Sequence, residues 1–476
     1  MKRTSGVLMH ISSLPGEYSI GTFGKQAKVF VDFLADCGFS YWQVLPFSMI
    51  DECNSPYKSY SAFGGNPFFI DPELLFEQKL ITADELFEAR QKTPYACEFD
   101  RLRIERMDLL FKASKRITDR KPILEFINIR PHIKQACEFM ALKSANNDTE
   151  WLDWTVEKPD SDILFMWYFV QFEFFRQWKD ILNYAHEKGI KVIGDIPIYV
   201  SFDSSDVWGN RDMFLLDSEY HPTDVAGVPP DYFAEDGQLW GNPLYDWEKM
   251  KKDGFSWWKA RLLNMFELFD GVRIDHFRGL ESYWSVPATA KTAKEGHWVK
   301  GPGKEFIDMI NSIRGENFVI AEDLGDITPE VVELVKYSGF PGMRVFQFGF
   351  IDDCDSPHQP HNYPNNCIAY TGTHDNNTLL GYVWELDDET RKGMLEYCGY
   401  FDNNWDACYD RIIATVMGSH AGTVIFPIQD LLKFGSDTRL NIPGKADGNW
   451  SYRITLEQLK SIDCKKYKRL NYVYRR

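Results

Sequence analysis

The sequence predicts an α/β fold, a (β/α)8 TIM barrel with large helical and loop insertions. Three observations support it. Eight short apolar or β-branched runs recur along the 476 residues, and most are followed by a stretch of helical periodicity. None is followed by the glycine fingerprint of a dinucleotide-binding open sheet, which leaves the doubly wound fold as runner-up.

The first run is 6–10. Behind it Ala27, Phe30, Val31 and Leu34 repeat at helical spacing, and Gly38 supplies a C-terminal stop. The second run is 41–47. The others are 191–197, 271–277, 318–324, 342–348, 367–373 and 422–428. Helical patterns fill 167–188, 256–269, 304–314, 329–337 and 404–419. Thr328-Pro329-Glu330 reads as a helix start, with a hydroxyl cap, a proline in the first turn and a carboxylate at the positive end of the dipole.

A minimal barrel takes about 250 residues, so roughly 200 must be insertions. Their expected places are 72–160, a charged helical subdomain between strands 2 and 3, and 200–256, a loop insertion rich in Asp, Gly, Pro and Trp after strand 3. Residues 1–476 then form a single barrel.

Composition narrows the function. Lys plus Arg number 53 against 70 Asp plus Glu, a net charge of −17. Such a surface repels phosphate backbones and anionic lipid, so the expected partner is a neutral small molecule, with no nucleic acid and no membrane. The nine cysteines are scattered without a C-x-x-C pair and read as buried free thiols of a cytoplasmic protein, monomer or homodimer. Residues 1–15 lack the apolar core of a signal peptide, and the most apolar run, 163–170, is too short to cross a bilayer. Aromatics are abundant, with 15 Trp, 23 Tyr and 35 Phe, many of them in Gly-, Pro- and Asp-rich stretches where binding surfaces are built.

In a barrel the site lies at the C-terminal strand ends. In strand 4 Val272 and Ile274 alternate with Arg273 and Asp275, so the apolar pair faces the helices and the charged pair the barrel mouth. Strand 5 ends in Glu322-Asp323, strand 7 in His374-Asp375-Asn376, and Asp195 closes strand 3. Packing does not account for such a group, because like charges raise each other's pKa and cost stability. Glycoside chemistry does. A retaining glycosidase needs a nucleophilic carboxylate and a protonated acid roughly 5 to 5.5 Å away, and adjacent strands can place Asp275 and Glu322 so.

These blocks carry a resemblance. The segments 274–279, 321–325 and 373–378 resemble the three catalytic blocks of the 4-α-glucanotransferases known as amylomaltase or disproportionating enzyme, glycoside hydrolase family 77. Further blocks at 42–46, 55–57, 61–67, 194–200, 229–233, 237–247, 439–444 and 448–450 agree, so the match runs from residue 5 to about 455 with only 72–160 lacking a motif. The resemblance implies transfer of an α-1,4-glucan segment between maltodextrins, or to glucose, by a retaining double displacement. It implies Asp275 as nucleophile, Glu322 as acid/base and Asp375 as transition-state stabiliser. Arg273 would hold Asp275 ionised and His276 and His374 would bond sugar hydroxyls. Tyr57 and Trp240 would stack on glucose, with Asp195, Asp231, Gln238 and Asn376 as further glucan contacts.

The alternatives are an α-amylase-type retaining hydrolase with the same carboxylates and water as acceptor, and an inactive glucan-binding protein. No cofactor or metal is expected. His358-x-x-His361 lies in a Pro- and Asn-rich stretch without a helix, Asp352-Asp353-Cys354-Asp355 lacks the glycine and closing glutamate of a calcium loop, and Gly301-Pro302-Gly303-Lys304 has the wrong spacing for a phosphate loop.

Overall fold

The computed structural model describes residues 3–230, 235–351, 355–402, 405–445 and 447–476. Each of the eight apolar runs coincides with a strand, seven of them containing it and the first, 6–10, overlapping one that begins two residues earlier: β1 Thr4–Leu8, β2 Tyr41–Gln43, β3 Lys191–Ile196, β4 Gly271–Ile274, β5 Phe318–Ala321, β6 Gly342–Val345, β7 Cys367–Tyr370 and β8 Thr423–Pro427. They form one parallel sheet in the order β6-β7-β8-β1-β2-β3-β4-β5. At the remaining seam the Ala321 amide donates to the Pro341 carbonyl at 3.0 Å, and the Met343 amide to the Asp323 carboxylate at 2.6 Å. The sheet is thereby nearly closed as a (β/α)8 barrel.

Alternation along the strands sorts the side chains. Leu8, Ile193, Ile320, Met343, Ile368, Tyr370 and Ile425 pack on one another inside the barrel. Their neighbours Val7, Val192, Val272, Ile274, Val319, Ala369 and Val424 belong to the larger core under the helices. Gly194 is one of these outward positions; a Cβ there would come within 2.2 Å of the Phe269 ring.

The covering helices are Lys25–Asp36, Ser161–Glu187, Ser256–Leu268, Gly303–Ile313, Pro329–Ser338 and Trp405–Gly418. The second begins ahead of the expected residue 167 because Asp160 accepts the Asp162 and Ile163 amides. Thr328 occupies the cap position of Pro329–Ser338 but makes no capping hydrogen bond, so its hydroxyl does not fill the role expected of it. The 163–170 run lies inside Ser161–Glu187 and is buried from Phe165 onward, and no helix among the described residues is long and apolar enough to cross a membrane.

Two expectations need correction. The stretch after β3 has strands as well as loop: Asp224–Val228 and Gln238–Pro243 pair antiparallel and join Ser282–Pro287 and His297–Lys300 in a four-stranded sheet. Its alternation is hard to read because the sheet has only a small apolar cluster, Val225, Val286 and Ala293, and Gln238 to Gly241 are exposed. The cysteines are not all free either. Cys37 and Cys464 form a disulfide that ties helix Lys25–Asp36 to the C-terminal helix Cys464–Tyr474. A sequence separation of 427 residues hides that pairing from any spacing rule. Cys53, Cys97, Cys137, Cys367 and Cys398 carry free thiols, and all but Cys53 are buried.

Candidate active site

Strand register assembles the centre. Asp195 of β3 pairs with Arg273 of β4, and Ile274 pairs with Ala321 of β5. Asp275 and Glu322 therefore leave two adjacent strands side by side, one residue beyond the last ladder pair. The Asp275 amide donates to Ile196 O at 2.9 Å and the Glu322 amide to Ile274 O at 3.1 Å, which extends the ladder into the site.

Arg273 is the electrostatic hinge of this group. Nη1 donates to Asp195 Oδ2 at 2.5 Å and Nη2 to Asp275 Oδ1 at 2.6 Å. Burial works against the guanidinium charge, and the two carboxylates outweigh it. Asp195 accepts a second bond, 2.6 Å from the Tyr57 hydroxyl, while its Oδ1 is buried without a hydrogen-bond partner. Burial raises the Asp195 carboxyl, and Arg273 acts in opposition. Removing Arg273 would leave the buried Asp195 carboxylate without a counter-ion, at a cost of about 3–5 kcal/mol.

Glu322 is only 8% exposed. Its Oε2 accepts the His276 amide at 2.7 Å and its Oε1 the Leu324 amide at 2.9 Å. Both bonds favour the carboxylate, as does Arg273. Burial, helped by the charge on Asp275, nevertheless pushes the group up to about 7. The chain makes the first of those bonds by placing His276 in the left-handed region, φ 50°, an uncommon conformation for a residue with a Cβ. Burial lowers the His276 imidazole to about 4, so it is neutral at pH 7, and its Nε2 has no hydrogen-bond partner.

Across the mouth, Asp375 meets different neighbours. Its Oδ2 lies 3.2 Å from His374 Nε2, its Oδ1 accepts Asn441 Nδ2 at 2.6 Å, and Arg439 donates to its carbonyl at 2.6 Å. Burial acts to raise this carboxyl. The His374 charge and the hydrogen bonds from His374 and Asn441 outweigh it and hold the group at about 2.

The rim residues divide. Tyr57 stacks on His374 with centroids 5.0 Å apart and planes 13° apart, so one face of its ring is already covered. Trp240, 38% exposed, stands edge-on to His276 at 4.9 Å and donates from Nε1 to Gln238 Oε1 at 3.2 Å. Asn376 turns its Oδ1 back to the Thr373 amide and hydroxyl, 2.9 and 2.8 Å, and so closes its own loop. Asp231 lies outside the described residues, as do 352–354. His358 and His361 are engaged separately, His358 by the Val345 amide and His361 by the Tyr397 hydroxyl.

Three residues of the site were not singled out by sequence: Arg439 and Asn441 on Asp375, and Trp450, 5.9 Å from Tyr57 and 6.0 Å from His374. They sit in the segments 439–444 and 448–450 that carry the resemblance, and their distance along the chain concealed which group they serve.

Comparisons with known proteins bear on this geometry. The family model described as 4-alpha-glucanotransferase matches residues 9–458. Curated 4-alpha-glucanotransferases from Streptococcus pneumoniae and Clostridium butyricum are each 42% identical to the chain. The first covers 100% of this chain and 98% of its own, the second 98% and 100%. The amylomaltase of Streptococcus agalactiae, solved in complex with acarbose, superimposes with a TM-score of 0.95 at 36% identity over 100% of both chains. The amylomaltase of Corynebacterium glutamicum, at 17% identity and a TM-score of 0.84 over 99% of this chain and 75% of its own, shows the same fold. The chain belongs to the 4-alpha-glucanotransferase family, glycoside hydrolase family 77.

Proposed function

We propose that this enzyme moves an α-1,4-glucan segment from a donor maltodextrin to the 4-hydroxyl of glucose or another glucan, with Asp275, Glu322 and Asp375 as its catalytic carboxylates. Asp275, ionised beside Arg273, attacks the anomeric carbon while Glu322 gives its proton to the departing glycosidic oxygen. The covalent glucosyl-enzyme is then released when Glu322 takes the proton of the incoming 4-hydroxyl and that oxygen displaces Asp275. Asp375, kept anionic by His374 and Asn441, faces the positive charge that develops on the ring.

One observation carries the reading. Two carboxyls at matched ends of adjacent strands have opposite proton demands, one ion-paired with Arg273 and the other raised to about 7. His276, with its unpartnered Nε2, and Asp195, through its free Oδ1, are the groups best placed to bond sugar hydroxyls. His374 contributes through Asp375. Tyr57 and Trp240 flank the entrance, with Gln238, Asn376 and Asp231 as outer contacts. The insertions 72–160 and 200–256 belong to a single catalytic unit, the second covering the substrate.

Hydrolysis by the same carboxylates is the competing reading. Water at roughly 55 M loses only if the acceptor sugar is held in attack geometry, where effective molarity reaches the order of 10⁵ M. Trp240 over His276 and Tyr57 on His374 give the mouth aromatic walls for that purpose. Maltotriose tests the choice. A transferase yields glucose and a ladder of longer maltodextrins with almost no new reducing ends; a rise in reducing ends with every turnover would make the enzyme a hydrolase.

A further inference from the structure

One fully buried carboxylate has no part in the chemistry above. Asp430 lies in the helical turn Ile428–Leu432 that follows β8. Among the described residues its side chain bonds neutral groups alone: Oδ1 accepts the Leu379 amide at 2.8 Å and Oδ2 the Thr371 hydroxyl at 2.5 Å. Burial pushes the carboxyl up to about 6 against those two bonds. A carboxyl buried without a counter-ion is costly, and one so enclosed cannot touch a sugar.

Its two bonds bracket the loop that carries the β7 side of the mouth. Thr371 is the first residue after β7, and Leu379 opens helix Leu379–Glu385, where its amide has no acceptor within the helix. One carboxylate therefore holds both ends of the stretch that contains His374 and Asp375. Between those ends Gln347 Nε2 donates to Asn377 O at 2.8 Å. The neighbouring Gln429 serves the other partners of Asp375. Its Nε2 donates to Thr438 O at 3.1 Å, just ahead of Arg439 and Asn441, which bond the Asp375 carbonyl and carboxylate. Asn377 Nδ2 joins the two arms by donating to Ser436 Oγ at 2.9 Å.

We infer that Asp430 and Gln429 are positioning residues for Asp375: from the end of β8 they hold the 371–379 loop and the 436–441 segment in one fixed relation, which aims the Asp375 carboxylate at the reacting ring. The inference rests on the catalytic reading of Asp375 above. A loop tied at both ends has little conformational freedom left to lose in the transition state. A misplacement on the order of 1 Å at a reacting centre can cost about a hundredfold in rate.

The test removes the ties one at a time. On maltotriose Thr371→Val and Gln429→Leu, which each delete one bond, should lower kcat about tenfold, and Asp430→Ala about a hundredfold, all with KM within about twofold of wild type. Asp430→Asn keeps an acceptor for the Leu379 amide and offers an N–H to the Thr371 oxygen, so its kcat should return to within about threefold of wild type. A purely structural role would reduce the active fraction in any background. The deciding measurement therefore places Thr371→Val in Asp375→Asn, where it should cost less than about twofold more. The full tenfold loss in that background would overturn the inference, as would wild-type kcat for both Thr371→Val and Gln429→Leu. Thr371→Val decides the matter even where Asp430→Ala does not fold. An Asp375→Asn enzyme with near wild-type kcat would instead defeat the catalytic reading of Asp375 itself.

Discussion

On the β4–β5 side of the mouth Glu322 accepts two backbone amides and still rises to about 7, whereas on the β7 side Asp375 accepts one imidazole and one side-chain amide and falls to about 2. Burial opposes both charges. What separates them is the balance of neighbours. Both feel Arg273, whose two Nη groups bond Asp195 and Asp275, but Glu322 has the like charge of Asp275 beside it and only backbone amides as donors. Asp375 instead has the side-chain hydrogen bonds of His374 and Asn441. In the proposed mechanism, a carboxyl that trades a proton and one that stays anionic are thus made from similar groups by giving them different neighbours.

The largest way to break this contrast is to remove the groups themselves. Asp275→Asn and Glu322→Gln should each lower kcat/KM for maltotriose on the order of 10³-fold or more. A donor whose leaving group needs no proton, such as α-maltosyl fluoride, separates them: Glu322→Gln should recover glucosyl transfer from it and Asp275→Asn should not. Recovery in both would remove the nucleophile from Asp275.

The next variant weakens only the β7 side. Asn441→Ala withdraws the 2.6 Å bond to Asp375 Oδ1. A hydrogen bond to a charged group contributes about 1.5–3 kcal/mol, so kcat should fall about tenfold to a hundredfold with little change in melting temperature. An unchanged kcat would show that His374 alone sets the state of Asp375.

The pH profile sharpens the comparison without mutation. Glu322 must carry its proton to act as acid, and that proton is lost as pH rises through about 7. Wild-type kcat/KM should therefore decline above about pH 7, approaching tenfold per unit. Asp375, at about 2, should contribute no limb between pH 4 and pH 9. Asn441→Ala should leave the alkaline limb where it is; a limb that moved with it would mean that the two sides titrate together.

The smallest expected effect is that of Tyr57→Phe. It keeps the ring on His374 and loses the donor to Asp195 Oδ2. Turnover should drop by roughly threefold to tenfold. A larger loss would place the hydroxyl in direct contact with sugar.

Much of this was legible in the amino-acid sequence. Seven strands lie within the apolar runs and the first, Thr4–Leu8, overlaps its run at 6–10, and Arg273 and Asp275 take the inward positions because period-two alternation leaves Val272 and Ile274 to the helices. The sheet around Trp240 was not legible, since its strands Gln238–Pro243 and His297–Lys300 are largely exposed and lack the hydrophobic contrast that marks a strand. The resemblance makes Tyr57 a stacking residue, and its engagement by His374 and Asp195 depends on segments far apart in the chain.

By itself the sequence determined the strand periodicity, the charged residues that close each strand and the motif set that marks the family, because these follow from local alternation along a few residues. Only the tertiary structure decided how Arg273 divides its charge and that Asn441 and Trp450 complete the β7 side of the mouth. It also decided that Cys37 meets Cys464, and that Glu322 is buried deeply enough for its carboxyl to be pushed up to about 7. Burial and partnership depend on groups tens to hundreds of residues apart, and those distances exist only once the barrel is nearly closed.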